Sequence, residues 1–211
     1  MIDYYTAWVH QIKTPISAMR LILQGREEEE DHELESELFK IEQYVEMVLS
    51  YLRLNSDSSD FVIGWTKLDK IVRQAVKKYA SLFIRQKIKL EIHPITAKVL
   101  TDEKWLSFVI EQIISNALKY TPHGSITIFE KDQVLVVEDT GIGIAPEDLP
   151  RVCERGFTGF NGRLSQKSTG IGLYLSKRIL QKLGHSIKIT SEVGKGTRVE
   201  ISLKSKQALY D

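Results

Sequence analysis

The sequence predicts an α+β protein, with a helical hairpin over residues 1–60 and an α/β sandwich over residues 61–211. Three observations carry that expectation. Apolar residues recur at helical spacing in two runs before residue 55. The polar stretch Asn55-Ser56-Asp57-Ser58-Ser59-Asp60 then ends the pattern and reads as a linker. Beyond it, short alternating segments bounded by Gly, Asn and Asp interleave with amphipathic helices, which implies helices on one face of a mixed sheet.

The first run places Ile12, Ile16, Met19 and Leu23 on one stripe. The second comprises Leu34, Leu38, Ile41, Val45, Val48 or Leu49, and Leu52. Between them, Gly25-Arg26-Glu27-Glu28-Glu29-Glu30-Asp31 reads as the solvated tip of the hairpin. Two amphipathic helices cannot bury both apolar faces, whereas two copies can, as an antiparallel four-helix bundle. The pattern therefore predicts a homodimer, with Tyr44 and Tyr51 packed in the bundle.

In the second part, residues 67–84, 102–120 and about 170–183 read as helices. Residues 88–92, 125–130, 133–139, 186–192 and 196–203 read as strands, with hairpin turns near Lys131-Asp132 and at Gly194-Lys195-Gly196.

Lysine plus arginine (29) nearly equals aspartate plus glutamate (28), a net charge of +1, which argues against nucleic acid as the main partner. One cysteine, Cys153, cannot close an internal disulfide and points to a reducing compartment. No run approaches the roughly 18 apolar residues of a membrane span, so the expectation is a soluble chain. It opens in a segment that already looks helical, and is expected to be a piece of something longer.

Four glycine-containing segments follow one another. Asp139-Thr140-Gly141-Ile142-Gly143-Ile144 comes directly after the apolar residues 134–137. A carboxylate at a strand end can accept from an exocyclic amine such as that of adenine, and glycines allow a tight turn close to a flat base. On its own the segment also fits an ordinary β-turn. Arg155-Gly156-Phe157-Thr158-Gly159 leads into the polar residues 161–168, either a disordered connection or a lid over a ligand. Thr169-Gly170-Ile171-Gly172-Leu173 opens a helix whose bare N–H groups suit phosphate. Gly194-Lys195-Gly196-Thr197 alone is a hairpin turn. Upstream, Glu111 or Gln112, Asn116, and Lys119 or Tyr120 share a helical face. There an amide oxygen can ligate Mg²⁺ and an ammonium can meet a phosphate.

In this order the segments resemble the nucleotide-binding domain of histidine kinases, within the superfamily that includes the gyrase, Hsp90 and MutL ATPases. The resemblance spans about residues 65–204. It implies a metal-binding Asn116 with Gln112 beside it, where the family commonly has a first asparagine. It also implies an adenine box at Asp139, Gly141 and Gly143, an F box at Arg155 to Gly159, and a lid base at Gly170, Gly172 and Leu173. Lys119, Tyr120 and Thr197 complete the implied ATP site. The implied cofactors are ATP and Mg²⁺.

Trp8-Val9-His10-Gln11-Ile12-Lys13-Thr14-Pro15 resembles the kinase H box, with proline five residues after the histidine. Pro15 cannot donate to the Gln11 carbonyl and should bend the helix just beyond His10. The resemblance implies that His10 accepts a phosphoryl group and passes it to a response-regulator aspartate. It further implies that Thr14, one turn on, helps orient a hydrolytic water. Gln11 departs from the usual Glu or Asp, so general-base assistance should be weak or come from elsewhere. The same segment resembles the intramembrane-sensing kinases of Gram-positive bacteria, which often work with peptide-antibiotic transporters. That resemblance makes the chain the cytoplasmic portion of a membrane protein.

Two other readings remain open at this point. A superfamily ATP hydrolase would use Glu111 as its base, and a degenerate dimeric scaffold would be favoured by Gln11 and Gln112. His32, His93, His123 and His185 show no metal-ligand spacing and read as structural or surface residues. Cys153 reads as a buried or semi-buried thiol rather than a nucleophile. Trp8, Trp65 and Trp105 are too dispersed for a stacking platform.

Overall fold

The computed structural model describes residues 16, 17, 19, 23, 29–55, 61–159 and 170–203. The chain divides into two compact units, Met1–Asp60 and Phe61–Asp211. His10, Gln11, Thr14 and Pro15, the acidic run through Glu28, the break at 56–60 and the 160–169 stretch lie outside the described residues.

In the first unit, α1 (Glu29–Leu54) runs for 26 residues, about 39 Å at 1.5 Å per residue. Ile16 and Leu23, both helical, meet Leu38 of α1 in one buried cluster. Of the rest of the predicted stripe that is described, Leu49 is buried and Val45 and Leu52 half-buried, whereas Met19, Leu34, Ile41 and Val48 are exposed, as is Tyr44. A single hairpin has one seam, and these side chains are more than that seam holds.

The second unit is built on a five-stranded sheet of order β2-β4-β5-β7-β6. Its strands are β2 (Lys89–Ile92), β4 (Ser125–Lys131), β5 (Val134–Asp139), β6 (Ser186–Glu192) and β7 (Gly196–Ser202). β2 and β4 are parallel and the other pairs antiparallel. Ile126, Ile128, Leu135, Val137 and Ile201 are buried at 2% exposure or less, each worth roughly 1.5–3 kcal/mol of burial. Three helices pack side by side: α2 (Leu68–Lys78), α4 (Glu103–Tyr120) and α5 (Gly172–Lys182).

α4 starts where it does because Asp102 caps it. Asp102 Oδ1 accepts the Trp105 N–H at 3.0 Å, and Oδ2 accepts the Val62 N–H at 2.8 Å. Leu106, Val109, Ile110, Ile113, Ile114, Ala117 and Leu118 then form its buried stripe. The β4–β5 hairpin turns on Asp132 and Gln133, with φ of 53° and 62°. This is the double left-handed turn that matches strand twist, one residue later than the sequence placed it.

Two features differ from the sequence expectation. The predicted helix over 67–84 is two helices, α2 and α3 (Ala80–Gln86), broken at Tyr79. Tyr79 is 1% exposed, and its N–H turns back to Val76 at 3.0 Å, a tightening that buries the ring and redirects the chain. A second sheet, β1 (Gly64–Lys67) against β3 (Lys98–Thr101), was not predicted. Each strand has four residues, too few to show a period, and its strand state comes from a partner more than thirty residues away.

Candidate functional site

The site grows from the end of β5. Antiparallel register sets Asp139 opposite Ile126 on one side and Thr197 on the other. Asp139 Oδ1 accepts the Gly141 N–H at 2.9 Å and the Thr197 N–H at 3.2 Å. Oδ2 takes neither donor. Burial pushes the carboxyl up from the usual aspartate range, and it outweighs these two bonds and the nearby Thr121 hydroxyl, all of which favour the anion. Thr121 follows α4 and is wholly buried. Its hydroxyl reaches no group at hydrogen-bonding geometry among the described residues. The half-buried Asp139 carboxylate thus offers an acceptor at the end of β5, beside a buried hydroxyl.

The glycines of residues 139–144 serve first to let backbones meet. A Cβ on Gly141 would lie 2.2 Å from the Tyr120 carbonyl oxygen, which accepts the Ile142 N–H at 3.0 Å. Gly143 has φ +71°, and its Cβ would lie 2.1 Å from the Glu192 carbonyl oxygen. Ile142 O in turn accepts the Gly194 N–H at 2.9 Å. The loop is thus pinned between the last turn of α4 and the β6–β7 turn. The sequence suggested approach to a flat base; the approach seen is to these two backbones.

That pinning brings the C-terminal turn of α4 to the loop. Tyr120 touches it directly, and Asn116 stands one helical turn earlier. Lys119 Nζ lies 5.1 Å from the Tyr120 ring centroid. Gln112, a further turn back, is buried. No group of three or more His, Cys, Asp or Glu side chains suited to a metal occurs among the described residues. The residues present fit Mg²⁺, which takes few protein oxygens and shares the phosphates of its substrate. Glu111 faces away into an ion pair with Lys78 at 2.5 Å and accepts from Ser107 at 3.1 Å.

A second group forms around Gly156 and Gly170. The Gly156 N–H donates to Gly170 O at 2.9 Å, and a Cβ on Gly170 would meet Gly156 C at 2.4 Å. These residues clasp the two ends of the 156–170 segment. α5 begins at Gly172, two residues later than the sequence expectation, and no side chain among the described residues caps it. Its first N–H groups, Gly172 and Leu173 among them, are therefore available to an anion. Arg155 is exposed at the edge of a shallow polar recess with Arg151, Glu154, Phe157 and Thr158. The Arg151 guanidinium sits over the Phe157 ring at 4.5 Å.

Contacts therefore join Tyr120, Asp139, Gly141, Gly143 and Thr197 in one group, and Gly156 with Gly170 in another. The packing of α4 against α5 relates the two. Thr121 and Ser191 also belong to the first group and were missed by the sequence reading, since nothing in their spacing marks them; Ile144, at the end of the first glycine segment, joins them through Ser191. His185 is a core residue at 4% exposure, with Nε2 3.1 Å from Thr101 Oγ1. Burial raises the pKa of the half-buried Cys153 thiol, partly offset by Lys177, which makes it a poor nucleophile.

Comparison with known proteins matches this geometry. A family described as histidine kinase-, DNA gyrase B- and HSP90-like ATPase matches residues 101–207. The chain is 37% identical to the sensor histidine kinase YxdK of Bacillus subtilis, over 97% of this chain and 65% of that protein. It is 36% identical to the sensor protein BceS of Halalkalibacterium halodurans, over 92% and 60%. It is 34% identical to the sensor protein kinase GraS of Staphylococcus aureus, over 93% and 58%. The chain thus spans about three-fifths of the length of these curated relatives. The fold is shared with ShkA in complex with AMPPNP (TM-score 0.65, 20% identity, 95% of this chain and 45% of that one). It is shared also with the Acinetobacter baumannii histidine kinase AdeS (TM-score 0.62, 22% identity, 93% and 98%). The family match covers the segment that holds the glycine loop, Asp139 and the start of α5, and the chain belongs to the histidine kinase-, DNA gyrase B- and HSP90-like ATPase family.

Proposed function

We propose that this chain is the cytoplasmic core of a sensor histidine kinase, which binds Mg-ATP in residues 61–211 and phosphorylates His10. The observation that carries the reading is the Asp139 carboxylate. One oxygen is held by two backbone donors, and the other remains to accept the exocyclic amine of adenine. The uncapped start of α5 at Gly172 and Leu173 receives phosphate oxygens, with Lys119 and Arg155 adding positive charge. Asn116 and Gln112 would hold Mg²⁺, which supplies charge neutralisation at the phosphates.

His10 attacks through a neutral imidazole nitrogen, a form abundant near pH 7 for an unperturbed imidazole, whose pKa is about 6.5. A bond forms from that nitrogen to the γ-phosphorus as the bond to the β-phosphate oxygen of ADP breaks. The imidazole proton leaves to solvent, because Gln11 carries no charge to take it. The phosphoryl group then passes to an aspartate of a response regulator, and Thr14 orients water for its removal. The exposed stripe of Met19, Leu34, Ile41 and Val48 supports a homodimer. Similarity to sensor kinases supports a membrane-attached whole protein, and the Trp8-to-Pro15 resemblance adds a peptide-antibiotic transporter as partner. The hydrolase reading loses support because Glu111 is engaged by Lys78 and Ser107.

The test is incubation with γ-labelled ATP and Mg²⁺ beside His10→Ala. Acid-labile, base-stable label on the unmodified chain alone is the expected result. Nucleotide binding without label on either protein would overturn the kinase reading, and phosphate release persisting in His10→Ala would put hydrolysis in its place.

A further inference from the structure

Ser191 lies on β6, opposite Thr197 of β7 and outside every glycine segment. Its hydroxyl nonetheless sits at the centre of the base-binding loop's supports. Ser191 Oγ accepts the Ile144 N–H at 2.9 Å, across 47 residues of sequence. It donates to Gly196 O at 2.8 Å and lies 2.9 Å from Thr197 Oγ1. A hydroxyl has one proton and two lone pairs. With its proton on Gly196 O, Ser191 must accept from Thr197 Oγ1–H, and its capacity is then filled.

Thr197 closes the circuit, since its backbone N–H holds Asp139 Oδ1. Residues 139–144 are therefore gripped at both ends by one hairpin. Asp139 is held through Thr197, and Ile144 through Ser191. Between them Gly143 leaves no room for a Cβ beside Glu192 O, and Ile142 O takes the Gly194 N–H. Among the described residues, Ser191 supplies the Ile144 end of the grip.

We propose that Ser191 is a positioning residue for the nucleotide base, fixing residues 139–144 in the conformation that receives adenine. The inference rests on the ATP-binding reading above. Ser191 does not meet the nucleotide; it acts through Ile144 and Thr197. Without its hydroxyl the Ile144 N–H loses its acceptor, and the loop must reorder before Asp139 can meet the base.

The experiment measures binding of AMPPNP, and autophosphorylation rate against ATP concentration, on the full chain with Ser191→Ala and Ser191→Thr. Ser191→Ala is expected to raise the nucleotide Kd and KM about tenfold, the effect of one lost buried acceptor. The kcat at saturating ATP should stay within about twofold, and Ser191→Thr should restore KM. If Ser191→Ala melts below the assay temperature, Ser191→Cys keeps the volume with a weak acceptor and should show the same rise in KM. An unchanged KM, a fall in kcat at constant KM, or no rescue by threonine would overturn the proposal. Absence of AMPPNP binding to the unmodified chain would instead overturn the ATP reading, and the role of Ser191 with it.

Discussion

Asp139 and Thr197 stand 58 residues apart in sequence, yet the Thr197 N–H donates to Asp139 Oδ1 at 3.2 Å. The bond joins the end of β5 to the start of β7, and with the Gly141 N–H it places both backbone donors on the same carboxylate oxygen. Replacing Asp139 with Asn keeps the size and an oxygen for the two backbone donors. It then turns an amide NH₂ toward the amine of adenine, donor against donor. Affinity for a non-hydrolysable ATP analogue should fall about 10- to 100-fold, measured by calorimetry, with the melting temperature little changed.

The same carboxyl gives a pH dependence to binding. Burial raises its pKa, so it protonates at a higher pH than an ordinary aspartate. A raised carboxyl favours its neutral form in the folded state, so its stabilising contribution is present below the unfolded pKa and lost as pH rises through the folded value. Acidification should therefore weaken nucleotide binding through Asp139 while the same protonation stabilises the folded domain. A titration of affinity against pH, with melting followed in parallel, separates the two. Coincident loss of binding and fold would count against this account.

His185 carries the opposite sign. Burial lowers its pKa below 6.5, and its Nδ1 has no partner among the described residues. The stability it contributes is present above the unfolded pKa of about 6.5 and declines as pH falls from there toward the folded value. Melting temperature should drop across that window, and His185→Gln should flatten the slope.

Two glycines of one turn should respond differently to alanine. Gly196 has φ +123°, and a Cβ there would lie 1.9 Å from Asp139 O. Neither backbone can yield without parting β5 from β7. Gly196→Ala should cost more than about 3 kcal/mol in denaturant unfolding. Gly194 has φ +79° with open space around it, so Gly194→Ala should cost only the left-handed penalty of about 1–2 kcal/mol. Equal costs would show that the contact with Asp139 is not the constraint.

Gln11 offers a test at the phosphoacceptor. A glutamine beside His10 accepts a hydrogen bond but stabilises an imidazolium less than a carboxylate does. Gln11→Glu should raise the initial autophosphorylation rate severalfold. A rate equal to or below that of the unmodified chain would show that the proton leaves by another route.

The sequence by itself determined the elements whose code is local. The apolar stripe of α4, the alternation in β4 and β7 and the apolar run of β5 are written within a few residues, so their spans could be read with small end errors. The order of Asn116, Asp139, Gly141, Gly143, Gly170 and Gly172 was enough to point to a nucleotide-binding fold. Only the tertiary structure decided what those residues touch. Four-residue β1 and β3 exist because they pair with each other, and the break at Tyr79 exists because a buried ring needs a turn. Gly141 and Gly143 are required by the carbonyls of Tyr120 and Glu192, which sequence spacing does not reveal. Thr121 and Ser191 join the site through contacts made when strands far apart in the chain become neighbours. A hydroxyl carries no periodicity of its own, and its role is set by which donor the fold brings to it.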